Sequence, residues 1–214
     1  MPIHETLIVG ICLALVGGFL DAYTYLLRGG VFANAQTGNM VLMGIHAAEK
    51  DFRGAFYYFV PITAFFIGVL ITEYIKKNFT GRQWFEWQQV VMIIEIVLLF
   101  LIGFLPKQIP NAVVNVTISF ICSLQANSFR KTNGLTYVTT MCTGNLRSAA
   151  ENFFNFLSAT DKAAGENCAR YFLIILSFCV GAVSGVIIAG LFHEKAVWSC
   201  CILLLTVFYL MVKK

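Results

Sequence analysis

A polar knot occurs twice inside otherwise apolar sequence, and any fold for this chain has to accommodate both copies. Residues 17–44 read GGFLDAYTYLLRGGVFANAQTGNMVLMG, and residues 123–150 read SLQANSFRKTNGLTYVTTMCTGNLRSAA. Thr37-Gly38-Asn39 returns 106 residues later as Thr143-Gly144-Asn145, and the same displacement lays Asp21 on Asn127. Three matched residues carry little weight alone. The same match within two similar hydropathy frames predicts a duplicated unit, with repeat one over about residues 1–108 and repeat two over about 109–214.

The frames themselves are those of a membrane protein. Of the 214 residues 58% are apolar and only 12% charged, whereas soluble domains carry about 25% charged residues. Several runs approach the roughly 20 apolar residues that cross a bilayer. The net charge of +4 therefore bears on topology, and no basic tract with interleaved aromatics points to nucleic acid. The seven cysteines lie mostly within apolar runs, without a C-x-x-C pair. They read as small packing residues rather than as metal ligands or a disulfide framework. The opening MPIHETLIVGIC lacks a basic leader and a small-residue cleavage site, and is expected to be a retained first membrane helix.

Hydropathy predicts helices over residues 7–27, 55–75 and 87–105 in the first repeat, with Pro61 near the entrance of the second of these. In the second repeat they fall at 112–129, 171–192 and 197–212. Each triplet is followed by a shorter helical segment, 40–48 and 146–157, and the polar stretch SATDKAAGEN reads as a loop. Nine residues make roughly 14 Å of helix, half of a hydrocarbon core about 30 Å thick. A chain that enters extended, turns at Thr-Gly-Asn near the midplane and leaves as a half-helix fits that length. Glycine permits the turn, and Thr or Asn can cap the new helix.

Charge gives an independent test. With Arg147 set aside, 14 of the 15 Lys and Arg residues remain. They divide seven to seven if both knots cross fully, as eight spans require. If both re-enter, six spans remain and nine charges share the N-terminal side against five opposite, the asymmetry expected when both termini are cytoplasmic. The expected fold is thus an all-α polytopic membrane protein with six transmembrane helices and two re-entrant half-helices. Three spans per half is odd, so the second repeat is inverted relative to the first, as in many secondary transporters.

The pattern GGFLDAYTY with FANAQTGN, followed by TTMCTGNLR, resembles the YoaK-like family of bacterial integral membrane proteins of unknown function. The resemblance covers nearly the whole chain. It implies a bacterial inner (cytoplasmic) membrane protein of this size, and no substrate.

Among residues that can carry chemistry, Asp21 stands out because an ionised side chain in a membrane helix usually faces a cavity or a partner. It reads as a proton- or cation-coupling carboxylate beside the first knot, or as a hydrogen-bonded structural Asp. The triplets Thr37-Gly38-Asn39 and Thr143-Gly144-Asn145 read as simple helix caps, or as two half-helix N-termini facing a shared pocket for a small anion or polar neutral solute. Asn34, Gln36, Asn127 and Thr140 would add neutral donors and acceptors. Arg147 would supply a positive charge or pair with Asp21 or Glu151. Glu95 reads as a buried hydrogen bond or dimer contact, and Gly68 and Gly181 to Gly190 as small-residue helix contacts.

An enzyme is not expected. His4, His46 and His193 are scattered, and neither H-E-x-x-H nor G-x-S-x-G occurs. Cys142 beside the second triplet has no histidine nearby in sequence to activate it. No cofactor or metal is expected. The reading is a transporter of a small polar solute or anion, with or without proton coupling, with its site between the two TGN loops. A channel of the same architecture and a non-transporting scaffold or partner subunit are the alternatives, and a homodimer is compatible with the size.

Overall fold

The structure is a computed structural model and describes residues 2–81, 86–137, 142–159 and 161–213. Among these residues eight α-helices carry the fold: α1 Leu7–Leu27, α2 Gln36–Ala48, α3 Phe52–Phe79, α4 Trp87–Ile102, α5 Asn111–Ser128, α6 Cys142–Ala159, α7 Lys162–Phe192 and α8 Trp198–Val212. By length and composition α1, α3 and the stretch Lys162–Val212, in which α7 passes through a 3-10 turn into α8, are apolar enough to cross a membrane. Among the described residues the fold is all-α apart from one hairpin, Lys131–Thr132 with Leu135–Thr136. Asn133 (φ 47°) and Gly134 (φ 78°) turn it, the Asn-Gly geometry that two-residue hairpin loops require.

Local chemistry sets the helix ends. α1 stops where Gly29 takes a left-handed φ of 83° and the Gly30 amide donates back to the Tyr25 carbonyl at 3.1 Å, a Schellman closure. Asp51 starts α3 by accepting from the Gly54 amide at 3.0 Å, with His46 Nδ1 2.8 Å from its other oxygen. Asp161 caps α7 through the amides of Ala163 and Ala164. That cap makes the predicted polar loop the first turns of a helix, so α7 begins at Lys162 and not near residue 171. Pro61 lies inside α3 rather than at its entrance.

Helix directions follow from side-chain contacts at the two ends of the bundle. At one end His4 meets Glu86 at 2.9 Å, Gln89 donates to the Met211 carbonyl at 3.1 Å, and Asn127 donates to Glu73 at 2.9 Å. The starts of α1 and α4 therefore gather with the ends of α3, α5 and α8. Tyr171 of α7 joins them through the Thr136 carbonyl at 2.9 Å. At the other end Tyr57 and Asn115 both donate to the Arg28 carbonyl, at 2.9 and 2.7 Å, and Trp198 donates to the Phe100 carbonyl at 3.0 Å.

α1 packs on α7 as α5 packs on α3, α2 lies on α3 as α6 lies on α7, and α4 meets α5 as α8 meets α1. The first pairing is close because side chains are missing from it. A Cβ on Gly18 would strike the Phe178 carbonyl, and one on Gly181 the Leu15 carbonyl; on α3, one on Gly68 would strike Ser123. Gly190 has nothing within 4 Å, so the small-residue contact ends before it. Van der Waals packing of this kind is what holds apolar helices together where lipid is as apolar as they are.

Candidate functional site

Asp21 sits two-thirds of the way along α1, and after Gly29-Gly30 the chain folds back against it. Asp21 Oδ1 accepts from the Asn34 amide at 2.7 Å, and the amides of Ala33 and Ala35 also point at the carboxylate. Asn34, fully buried, donates through Nδ2 to the Gly17 carbonyl at 2.9 Å. These bonds stop the returning chain halfway along α1, and α2 starts there. The first triplet lies inside the opening turn of α2: Ala35 is the N-cap, without a side-chain cap bond.

Asn39 has a different task from a cap. Its Oδ1 accepts from the Phe32 amide at 3.1 Å and its Nδ2 donates to the Phe32 carbonyl at 2.6 Å, so one carboxamide pairs with both backbone polar groups of Phe32. Nδ2 is also 2.9 Å from Gln36 Oε1, and Gln36 donates to the Ala33 carbonyl at 2.8 Å. Gln36 Nε2 reaches Ser119 of α5 at 3.5 Å. The knot is thereby tied to both α1 and α5.

A cavity of about 970 Å³ opens beside this knot, between α3 and α7. Asp21, Asn34, Gln36 and Thr37 border it on one side, and Cys142, Thr143 and Gly144, the first residues of α6, on the other. Its remaining walls are apolar, with Tyr25, Phe32, Phe65, Phe66 and Phe178 the largest. Asp21 is the charged residue among the described residues that line it. Thr37 and Thr143 are exposed and border the space. The aromatic walls have no signal in the sequence that separates them from ordinary lipid-facing or core aromatics.

Other candidates lie elsewhere. Gly38 stacks over Phe32, and Asn39 and Asn145 are buried behind the lining residues. Asn127 donates to Glu73 and accepts from Arg130 at one end of the bundle. Arg147 pairs with Glu151 at 2.8 Å on an exposed helix face. Thr140 lies outside the described residues. Glu95 is fully buried in α4, neither oxygen having a hydrogen-bond partner among the described residues. It therefore faces the interior, not a dimer contact. No group of three His, Cys, Asp or Glu gathers as a metal site among the described residues.

A family model described as "protein of unknown function (DUF1275)" matches residues 9–210. The chain is 23% identical over 197 residues to the UPF0700 transmembrane protein YoaK of Bacillus subtilis (strain 168), covering 90% of this chain and 88% of that protein. No solved structure matches.

Proposed function

The chain belongs to the DUF1275 family of membrane proteins, and from that premise we propose that it carries a small polar solute across the bilayer through the cavity between α2 and α6. In this reading α1, α3, α4, α5, α7 and α8 span, while α2 and α6 re-enter from opposite faces. Several observations support it. The six helices run between the same two ends of the bundle. α2 starts beside Gly17 and Ser119, in the middle of α1 and α5, and runs to the His46–Asp51 end. α6 starts beside Phe178 and brings Phe156 to Gly165, near the start of α7. α2 and α6 thus leave the middle in opposite directions, and the helix contacts exchange when each repeat-one helix is swapped for its counterpart. Both features suit an inverted repeat.

The observation that carries the functional reading is the cavity bordered by the first turns of both helices. Thr37, Thr143, Gln36 and one carboxylate, Asp21, border a space with otherwise apolar walls, the composition of a small-molecule site. With Arg147 turned to Glu151, Asp21 makes a neutral or cationic solute a better match than an anion. Asp21 is the group suited to couple movement to a proton, since it borders the cavity and also holds the returning loop.

Currents on solid-supported membranes, from proteoliposomes given a panel of small anions, neutral solutes and cations, test the reading. A saturable response to a neutral or cationic class is expected, lost in Thr37→Val with Thr143→Val and made independent of the pH gradient in Asp21→Asn. Absence of flux for every class, or unchanged flux in the threonine variant, contradicts it.

A further inference from the structure

At the end of the bundle where His4, Glu73 and Glu86 gather, a second and smaller cavity of about 210 Å³ lies between α3, α4 and α5. Lys76, Arg130 and Lys131 line it, together with Trp87, Asn127 and Ser128; Glu5 is the carboxylate on its rim. Three permanent cations and one acid, Glu5, line the notch itself, and Glu73 and Glu86 stand outside its lining. Glu73 already accepts from Asn127 at 2.9 Å and stands 3.9 Å from Lys76. Glu86 is engaged by His4 at 2.9 Å. Arg130 gives one Nη2 bond to Asn127, and its fork has other N–H groups to direct into the space.

Basic residues at a helix end are ordinary topology anchors, so charge alone carries nothing. Two further observations give this cluster the form of a site. Ser128 borders the notch, is 94% buried by its 6% exposure, and its hydroxyl has no hydrogen-bond partner among the described residues. Trp87 also borders it, with Lys76 Nζ 5.7 Å from the ring centroid. Trp87 joins the notch to the α3–α4 seam, where it, Val90 and Ile94 pack against Ile75 and Val91, and Ile71 and Tyr74 are exposed on α3. An apolar path therefore leads away from a positive, hydroxyl-bearing pocket.

We propose that this notch binds the phosphate headgroup of an anionic phospholipid, with its acyl chains along the α3–α4 seam. Lys76, Arg130 and Lys131 neutralise the phosphate, the Ser128 hydroxyl donates to one of its oxygens, and Trp87 lies at the level of the glycerol. Basic pockets between membrane helices on the side richer in Lys and Arg recognise such headgroups. The seam is what selects a lipid over a free anion, because inorganic phosphate gains nothing from it. The site is independent of the solute cavity.

The test uses the full chain purified in a neutral detergent, titrated with dioctanoyl phosphatidylglycerol, dioctanoyl phosphatidylcholine or inorganic phosphate while its thermal unfolding is followed. Phosphatidylglycerol is expected to raise the midpoint saturably, phosphatidylcholine and phosphate at the same concentrations to have little effect, and native mass spectrometry to retain one lipid. Lys76→Gln with Arg130→Gln should weaken the phosphatidylglycerol effect at least tenfold. If that variant does not fold, Ser128→Ala and added sodium chloride on the wild type serve the same purpose, each lowering the apparent affinity. Equal shifts from both lipids, equal shifts from inorganic phosphate, or a phosphatidylglycerol effect unmoved by the variants and by salt, each overturns the proposal.

Discussion

Removing the Asn39 carboxamide leaves the N–H and C=O of Phe32 without the partners they have at 3.1 and 2.6 Å. Each orphaned buried group costs roughly 1–3 kcal/mol, so Asn39→Ala is expected to lower unfolding stability by about 3 kcal/mol, measured by thermal or denaturant unfolding in detergent. Thr37→Val, on the exposed and cavity-facing side of the same turn, should stay within about 0.5 kcal/mol. A loss of flux in Asn39→Ala would then report a displaced loop, whereas a loss in Thr37→Val would report the cavity. Glu95 behaves in the opposite sense. Its buried carboxyl has no partner among the described residues, and its desolvation is uncompensated. Glu95→Met, of similar volume and no polar atom, should raise stability by about 1–3 kcal/mol; a fall in the unfolding midpoint would mean that Glu95 has a partner in the folded protein. The prominence of Asp21, Glu95 and the triplets was readable from residue type alone. Which asparagine faces solute and which ties a loop was not, because Asn34, Asn39, Asn127 and Asn145 have the same chemistry and differ only in what surrounds them.

Helix α1 coincides with its predicted bounds, Leu7–Leu27, since an apolar run ending in Arg-Gly-Gly admits few other readings. The two helices that carry the triplets do not coincide with their predicted bounds. α2 has 13 residues and α6 has 18, about 20 and 27 Å at 1.5 Å per residue, because both start before the triplet instead of after it. The glycine of each triplet sits inside a first turn, and the turn that reverses the chain is made upstream by Gly29, Gly30 and the bonds to Asp21. The Asn133-Gly134 hairpin went unread within a helical frame, although its turn residues are the standard signal. At this scale, the α1–α7 seam gives a sharp contrast. Gly18→Leu or Gly181→Leu drives a side chain into a facing backbone carbonyl and should abolish accumulation of folded protein. Gly190→Leu, with open space beside it, should be silent in the same membrane-fraction assay. The Asp51 cap carries a pH signature. Hydrogen bonds from the Gly54 amide and from His46 hold its carboxyl below the ordinary value of 3.8. Its contribution to α3 is therefore complete above that value and is lost as pH falls through the lower folded value. Asp51→Asn should remove that acid limb from the stability profile.

For the whole molecule, hydropathy and the division of charge pointed to membrane location and to a duplicated plan, and membership of the family agrees with the first. How the repeats sit in the bilayer is the central claim, and it turns on whether α2 and α6 cross or re-enter. The two arrangements differ at defined points. With six spans and two re-entrant helices, Glu49 after α2 faces the side opposite the N-terminus and Ser158 near the end of α6 faces the same side as it. With eight spans both face the N-terminal side. Glu49 and Ser158 are exposed, so the most direct measurement is sided labelling of Glu49→Cys and Ser158→Cys in a cysteine-free background. An impermeant thiol reagent is applied to intact cells and to inverted vesicles. Labelling of the two positions from opposite sides is the result predicted here; labelling of both from one side would contradict the inverted, re-entrant arrangement and the shared cavity built on it.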